Sequence, residues 1–163
     1  MRFVCGVEPE IWQKAEDNQY VPETSLTETE IRMPGGHLTI AQLIALLNTI
    51  PMEITFVDVD NINRFFNEGP KDFKRPGMAI DREVFSCHPP KIEATVRRII
   101  GEFRAGALDE VPIWMDKNRK CMLVRYMAVR DKEGKYLGTL ELVQDMGFAK
   151  EHFQPEKRQE EIW

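Results

Sequence analysis

The stretch DREVFSCHPPKIEATVRRIIGEF, residues 81–103, decides the fold because it places a Cys-His-Pro-Pro run directly before an amphipathic helix. Proline suits the first helical position, where its missing N–H would have no partner inside the helix. Cys87 and His88 are therefore predicted to lie just before, or at, the start of a helix over 90–104. One face of that helix is predicted to be buried, because apolar residues recur on it at helical spacing: Ile92, Val96, Ile99, Ile100 and Phe103.

The start of a helix is electropositive, because its first backbone N–H groups lack partners and the helix dipole has its positive end there. A thiol in this position is activated as a thiolate, and an imidazole tends to stay neutral and able to coordinate. Two interpretations stay open on these residues: His88 hydrogen-bonded to the backbone as a structural cap, and Cys87 as a redox-sensing thiol. No metal site is predicted, because only two adjacent candidate ligands are visible.

The composition excludes several classes of function. The chain has 163 residues with 27 acidic and 22 basic side chains, and it has no basic run interleaved with aromatic residues, which argues against nucleic acid as a partner. No apolar run approaches the length of a membrane span. Three cysteines without a CxxC pair fit a reducing compartment, so we expect a cytoplasmic protein. Phosphate-loop, HExxH and GxSxG motifs are absent from the sequence, and an enzyme is therefore not expected.

Towards the N-terminus the pattern changes at a Pro-Gly-Gly breaker. Residues 1–36 are polar, acidic and interrupted by proline, and they are interpreted as a linker from a preceding domain. Residues 37–146 are predicted to form the folded domain. Its first helix is TIAQLIALLNTI, residues 39–50, with Thr39 as the N-cap and Pro51 ending it.

Five strands are predicted on the two sides of the 90–104 helix, and residues 147–163 are predicted to be a C-terminal helical tail. Pro112 indicates an edge strand or a bulge, and the run 131–134 (DKEG) is a good hairpin connection. Two strands, then helices, then three strands predict an α+β domain in which helices pack on one face of a five-stranded antiparallel sheet. The predicted strands are 53–58, 61–67, 110–116, 120–130 and 136–145.

The order of these elements resembles a PAS domain. The segment VRDKEGKYLGTLELVQDM, residues 129–146, is similar to the last two PAS strands, which commonly finish in Asp-Ile-Thr; here Asp145 is kept and Met146 and Gly147 replace the other two residues. The runs TIAQLIALLNTIPMEITFVDVDN, SCHPPK and RYMAVRDKEGKYLGTLELVQD resemble an uncharacterised bacterial and archaeal family in which a PAS domain follows a hemerythrin-like domain. The resemblance covers residues 37–146, and it implies that residues 1–36 connect to such a hemerythrin-like domain.

The resemblance implies a sensory or signal-transduction module that binds a small molecule in a cavity between the sheet and the 90–104 helix. Haem is one option, because haem-binding PAS domains take a histidine from this region, as His88 would be. Flavin is less favoured, because the Asn-Cys-Arg-Phe-Leu-Gln run of flavin photoreceptors is absent. The alternatives are a ligand-free module for dimerisation or interaction, and a thiol redox sensor acting through Cys87.

The predicted ligand contacts come from the Cys-His pair, the buried face of the helix and the later strands. Tyr126 either follows the simple alternation of a strand or holds a polar group of the ligand. A homodimer is also predicted, through the Thr39 helix, the outer face of the sheet or both. The predicted contact residues are Cys87, His88, Val96, Ile100, Phe103, Trp114 and Tyr126.

Overall fold

A computed structural model describes residues 29–69, 71–73 and 79–153, including the backbone but not the side chain of Cys87. Most of the predicted linker and the end of the predicted tail lie outside these residues. The elements in chain order are β1 Glu30–Met33, β2 Gly36–Thr39, α1 Ile40–Thr49, β3 Glu53–Asp58, β4 Asn63–Phe66, a 3₁₀ turn Val84–Cys87, α2 Pro90–Arg104, β5 Glu110–Lys117, β6 Lys120–Arg130, β7 Tyr136–Asp145 and α3 Gly147–His152.

The main sheet has five strands in the order β4-β3-β7-β6-β5, and every neighbouring pair is antiparallel. The predicted α+β fold class with a five-stranded antiparallel sheet is therefore confirmed. Pro112 lies on β5 at the edge of the sheet, where a residue without an N–H is tolerated. The β6–β7 connection closes as predicted, with the backbone N–H of Gly134 donating to the carbonyl of Asp131 at 3.0 Å.

Helix α2 covers one face of this sheet, which we call the inner face. Pro90 is its first residue, as the sequence predicts. Its buried side chains pack in two groups: Val96 and Ile100 contact Val57 of β3, while Ile99 and Phe103 contact Tyr136 of β7. The apolar stripe of the helix thus packs across β3 and β7, two neighbouring strands of the sheet. Because α2 lies against this face, its polar side chains, including Arg97 and Glu93, form ion pairs on the solvent side.

The N-terminal hairpin was not predicted. Strands β1 and β2 pair across Pro34 and Gly35, and part of the segment interpreted as a linker is therefore folded. Thr39 caps α1 as predicted, in a reciprocal arrangement with Gln42: the Thr39 side chain accepts from the Gln42 N–H at 3.1 Å, and the Gln42 side chain accepts from the Thr39 N–H at 2.9 Å. None of the residues of α1 is buried.

Strand β3 is buried on both faces. Ile54 and Val57 point to opposite faces of the sheet, and their exposed fractions are 8% and 5%. On the inner face Val57 packs with Val96 and Ile100 of α2, and both edges of β3 are paired, with β4 and β7. No helix among the described residues is long and apolar enough to cross a membrane.

Candidate functional site

Three predicted contact residues meet on the inner face of the sheet, in the packed core under α2. Phe103 is fully buried and packs with Ile99 and Tyr136, while Val96 and Ile100 pack with apolar side chains of β3 and the 3₁₀ turn. Such close packing is typical of a filled core. Around these residues the structure therefore supports a structural role in holding α2 on the sheet.

Tyr126 and Trp114 lie on opposite faces of the sheet. Tyr126 pairs with Val111 across β5–β6 and packs with the core on the inner face. Trp114 is three residues after Val111 on β5, and alternation directs its side chain to the other face, where 60% of it is exposed. The structure thus does not bring Trp114 together with the other predicted contacts.

The imidazole of His88 contacts the backbone. His88 directly follows the 3₁₀ turn, and its Nδ1 atom lies 2.7 Å from the carbonyl oxygen of Val84, the first residue of that turn. This is the contact expected for a structural cap. The side chain of Cys87 lies outside the described part of the structure, and its role as a redox sensor stays a prediction.

An open cavity of about 360 Å³ lies at one end of the sheet, away from the buried face of α2. We call it the end cavity. Its walls are the last turn of α1, the start of β3, the loop after β4 and the last residues of β7. Its described lining residues are Asn48, Thr49, Ile50, Pro51, Met52, Glu53, Glu68, Gly69, Asp72, Met122, Val143 and Asp145.

Two buried polar side chains fix the walls of the end cavity. The side chain of Asn67 accepts from the N–H of Ile54 at 2.9 Å and donates to the carbonyls of Leu47 and Met52 at 3.1 and 2.9 Å. It therefore ties the end of α1 to β3. Glu53 accepts from the N–H of Asp72 at 2.6 Å, and this bond holds the loop against β3.

Ion pairs link the wall of the end cavity to the last residue of β7. The Nζ atom of Lys120 lies 2.8 Å from Asp72 Oδ1 and 3.6 Å from Asp145 Oδ2. The hydrogen bond to Asp72 is the main cause that raises the pKa of Lys120 above its ordinary value. Asp145 in turn accepts from the N–H of Gly147 at 2.8 Å, where α3 begins. A chain of polar contacts thus runs from the cavity wall to the C-terminal helix.

Sequence reasoning missed the end cavity, although it noted Asp145 for another reason. The cavity is lined from segments far apart in the chain, and no local motif marks it. Among the described residues, no group of three or more His, Cys, Asp or Glu side chains is arranged to hold a metal ion.

Comparison with known proteins identifies one family. The sequence pattern described as a PAS domain matches residues 43–147. The C-terminal domain of a protein from Streptococcus mutans, known as a crystal structure, is 37% identical; the match covers 76% of this chain and 98% of that one, with a TM-score of 0.72. No curated protein matches the chain.

Two other solved structures are more distant. The PAS domain of a protein from Colwellia psychrerythraea is 15% identical, with a TM-score of 0.47, and the match covers 65% of this chain and 95% of that one. A sensory box sensor histidine kinase from Vibrio cholerae is 12% identical, with a TM-score of 0.45, and the match covers 63% of this chain and 88% of that one.

Proposed function

Because the chain belongs to the PAS domain family, whose members are generally sensory rather than catalytic, we propose that it is a sensory module that binds a small molecule in the end cavity. The observation that carries this proposal is the position of the cavity beside Asp145, the residue that hydrogen-bonds to the start of α3. The packed state of Phe103 favours this location over the space beneath α2 that the sequence predicts.

The contacts of Lys120 suggest how occupancy reaches the C-terminal helix. A ligand that displaces the loop at Asp72 changes how Lys120 is shared between Asp72 and Asp145. The N–H of Met146 is bonded to the Cys121 carbonyl at 2.7 Å, so the chain leaves the sheet at a fixed point beside Asp145. The Asp145 side chain also accepts from the N–H of Gly147, so a shift of that side chain acts on the first residue of α3.

Native mass spectrometry of the full chain tests the proposal. We expect a non-covalent adduct that is lost in Thr49→Trp, because the exposed Thr49 lines the cavity and an indole there would fill it. Ala94→Trp, at an exposed position on α2, is the control and should keep the adduct. An absorption spectrum of the same sample identifies haem by a Soret band. Absence of any adduct, or an adduct that Thr49→Trp retains, would contradict the proposal.

A homodimer is a second proposal, favoured by exposed apolar side chains. Trp114 is exposed on the outer face of the sheet, and Ile44 and Leu46 are exposed on α1. Such surface commonly marks a site of protein association. Analytical ultracentrifugation should give a dimer that Trp114→Glu or Ile44→Glu weakens, depending on which surface pairs. A monomer up to high micromolar concentration would contradict it.

We also propose that residues 1–36 follow a hemerythrin-like domain in the full-length protein. The 37%-identical relative supports part of this, because it is itself a C-terminal domain. The genomic reading frame upstream of Met1 provides the test. A reading frame that starts at Met1 would contradict the proposal.

A further inference from the structure

We infer that the outer face of the sheet binds a second copy of this chain, with the two sheets packed face to face; this inference rests on the homodimer of the proposed function. Two surfaces carry the exposed apolar side chains of that dimer, the outer face around Trp114 and helix α1 around Ile44. The strand register, the area and the charges of these surfaces favour the outer face.

The strand register aligns apolar side chains in a row across the outer face. Residues directly opposite each other on paired strands point to the same face of a sheet. One row crosses four strands with an apolar, half-buried side chain on each: Phe65 on β4, Phe56 on β3, Leu140 on β7 and Met127 on β6. In another row, Leu123 lies opposite Trp114, which is 60% exposed on the edge strand. The apolar surface thus extends from β4 to β5.

The area of the outer face is close to what a stable dimer needs. Its five strands, 4 to 11 residues long, make a face of about 24 by 27 Å, or about 650 Å², at the usual strand spacing and rise. A standard protein interface buries about 800 Å² on each partner. Helix α1 has 10 residues, and it is therefore about 15 Å long and offers only about 150 Å² on one side. Pairing through α1 alone would therefore bury too little surface.

The charges within the outer face are paired inside one copy. Arg125 lies between the two apolar rows and donates to Glu110 at 2.6 Å, and Asp58 pairs with Arg64 at the end of β3. Asp116 lies at a corner of the face, beside the turn between β5 and β6. The whole chain has a net charge of −5, so two copies repel each other in general. Because its centre is apolar and its ion pair is neutral, the outer face lets a second copy approach with little repulsion.

The edges of the sheet favour packing between faces over the addition of a strand. At one edge, Pro112 of β5 has no N–H to donate to an added strand. At the other edge, β4 has only four residues. Short edge strands and proline are common protections against pairing between sheet edges. The second copy is therefore expected to pack its own outer face about 10 Å from this one, around a twofold axis.

Analytical ultracentrifugation of the full chain compares the two surfaces. Trp114→Glu should raise the dimer dissociation constant by at least about 30-fold, the loss typical of an aromatic hot-spot residue. Ile44→Glu adds the same charge at an exposed side chain of α1 and should change the constant by less than about threefold. A dimer that Trp114→Glu leaves intact would overturn the outer face as the interface and keep the homodimer. A monomeric wild type would overturn both.

Methyl NMR tests whether the second copy is what covers the face. The full chain is labelled at the methionine methyl groups, and a soluble gadolinium chelate broadens those that it can reach. We expect Met127 to be broadened several-fold less in the wild-type dimer than in the Trp114→Glu monomer. Met33, which is 42% exposed in the N-terminal hairpin, is the control and should be broadened in both. Equal broadening of Met127 in both would overturn the inference if Met127 is accessible in the dimer. Protection of Met127 in the monomer would also overturn it, because another part of the same chain would then cover the face.

Discussion

Lys120 holds Asp72 through both carboxylate oxygens, with Nζ 2.8 Å from Oδ1 and 3.0 Å from Oδ2. The pair is solvent-exposed, so its net effect on global stability is small. Its local effect is to hold the cavity loop against β6. We predict that Lys120→Met leaves the urea midpoint nearly unchanged but speeds hydrogen exchange at the amides of Asp72 and Phe73. Lys132→Met, in the β6–β7 turn, is the control; unchanged exchange at these amides would show that Lys120 does not hold the loop.

The acid side of the stability profile should depend on Asp58. Partial burial opposes its ionisation, but hydrogen bonds from the Ile62 N–H, from Arg64 and from the Asp60 N–H together hold its pKa below the ordinary value of 3.8. The folded state therefore binds fewer protons than the unfolded state below that value, and stability falls as pH drops through the folded pKa. Asp58→Asn should remove this part of the acid decline in urea midpoints measured from neutral pH down to pH values below 3.8.

A matched control for Asp58 is available in the same turn. Asp60→Asn changes a neighbouring exposed carboxyl group and should keep the acid decline of the wild type. If the two variants gave the same profile, the hydrogen bonds of Asp58 would not be the source of the acid sensitivity.

Substitution of Phe103 tests whether the space beneath α2 is a packed core or an empty pocket. Because its ring is fully buried among core side chains, Phe103→Ala should lower the free energy of unfolding by about 3–5 kcal/mol. Phe148→Ala removes the same ring from a site that is 65% exposed and should change it by less than about 0.5 kcal/mol. Urea denaturation measures both. A loss at Phe103 as small as that at Phe148 would indicate an unfilled pocket there.

His88 should act through its hydrogen bond to Val84. His88→Ala removes the contact and is expected to cost about 1 kcal/mol of unfolding free energy. In His88→Asn the side-chain amide nitrogen can take the place of Nδ1, so this variant should recover much of the loss. Thermal denaturation compares the two. Equal destabilisation by Ala and Asn would rule out the hydrogen bond as the stabilising contact, and loss of a bound ligand in both would make His88 a ligand residue.

Two glycines provide opposite expectations for the same substitution. A Cβ atom on Gly138 would overlap the Val57 carbonyl oxygen and contact the Phe56 ring, both on the neighbouring strand, so Gly138→Ala should destabilise by at least about 1–3 kcal/mol. Gly101 lies within α2 with open space around it, and Gly101→Ala should stabilise by about 0.5–1 kcal/mol. Thermal denaturation of the pair is the measurement, and a stable Gly138→Ala protein would show that β3 and β7 can separate.

Local sequence signals were sufficient to predict most strands of the main sheet and helix α2. Pro90 marks the first residue of the helix, and the run 131–134 has the turn chemistry that joins two long strands. The hairpin at the N-terminus was missed because Pro34, Gly35 and Gly36 were interpreted as a breaker. The same residues serve as a two-residue turn and the first position of a strand.

The end cavity could not be predicted for a different reason. Asn48, Asp72 and Asp145 are adjacent only after β3 has paired with β7 and the loop has bonded to Glu53. Periodicity describes which side chains of one element share a face, but it carries no information on distant segments that meet at the end of a sheet. The predicted contact Trp114 lies on the opposite face of the sheet from Tyr126 for a simpler reason. It is three residues after Val111 on β5, and side chains at odd spacing along a strand point to opposite faces.

The strand order has a consequence for how the chain is made. The centre of the sheet joins β3, near the start of the domain, to β7, its last strand, with Phe56 opposite Leu140. Contacts between such distant segments form slowly and late in folding. During synthesis, domains generally become stable only as complete units. A nascent chain that has not reached Tyr136 lacks β7, the strand that pairs with both β3 and β6, so the hairpins β3–β4 and β5–β6 cannot yet be joined into one sheet.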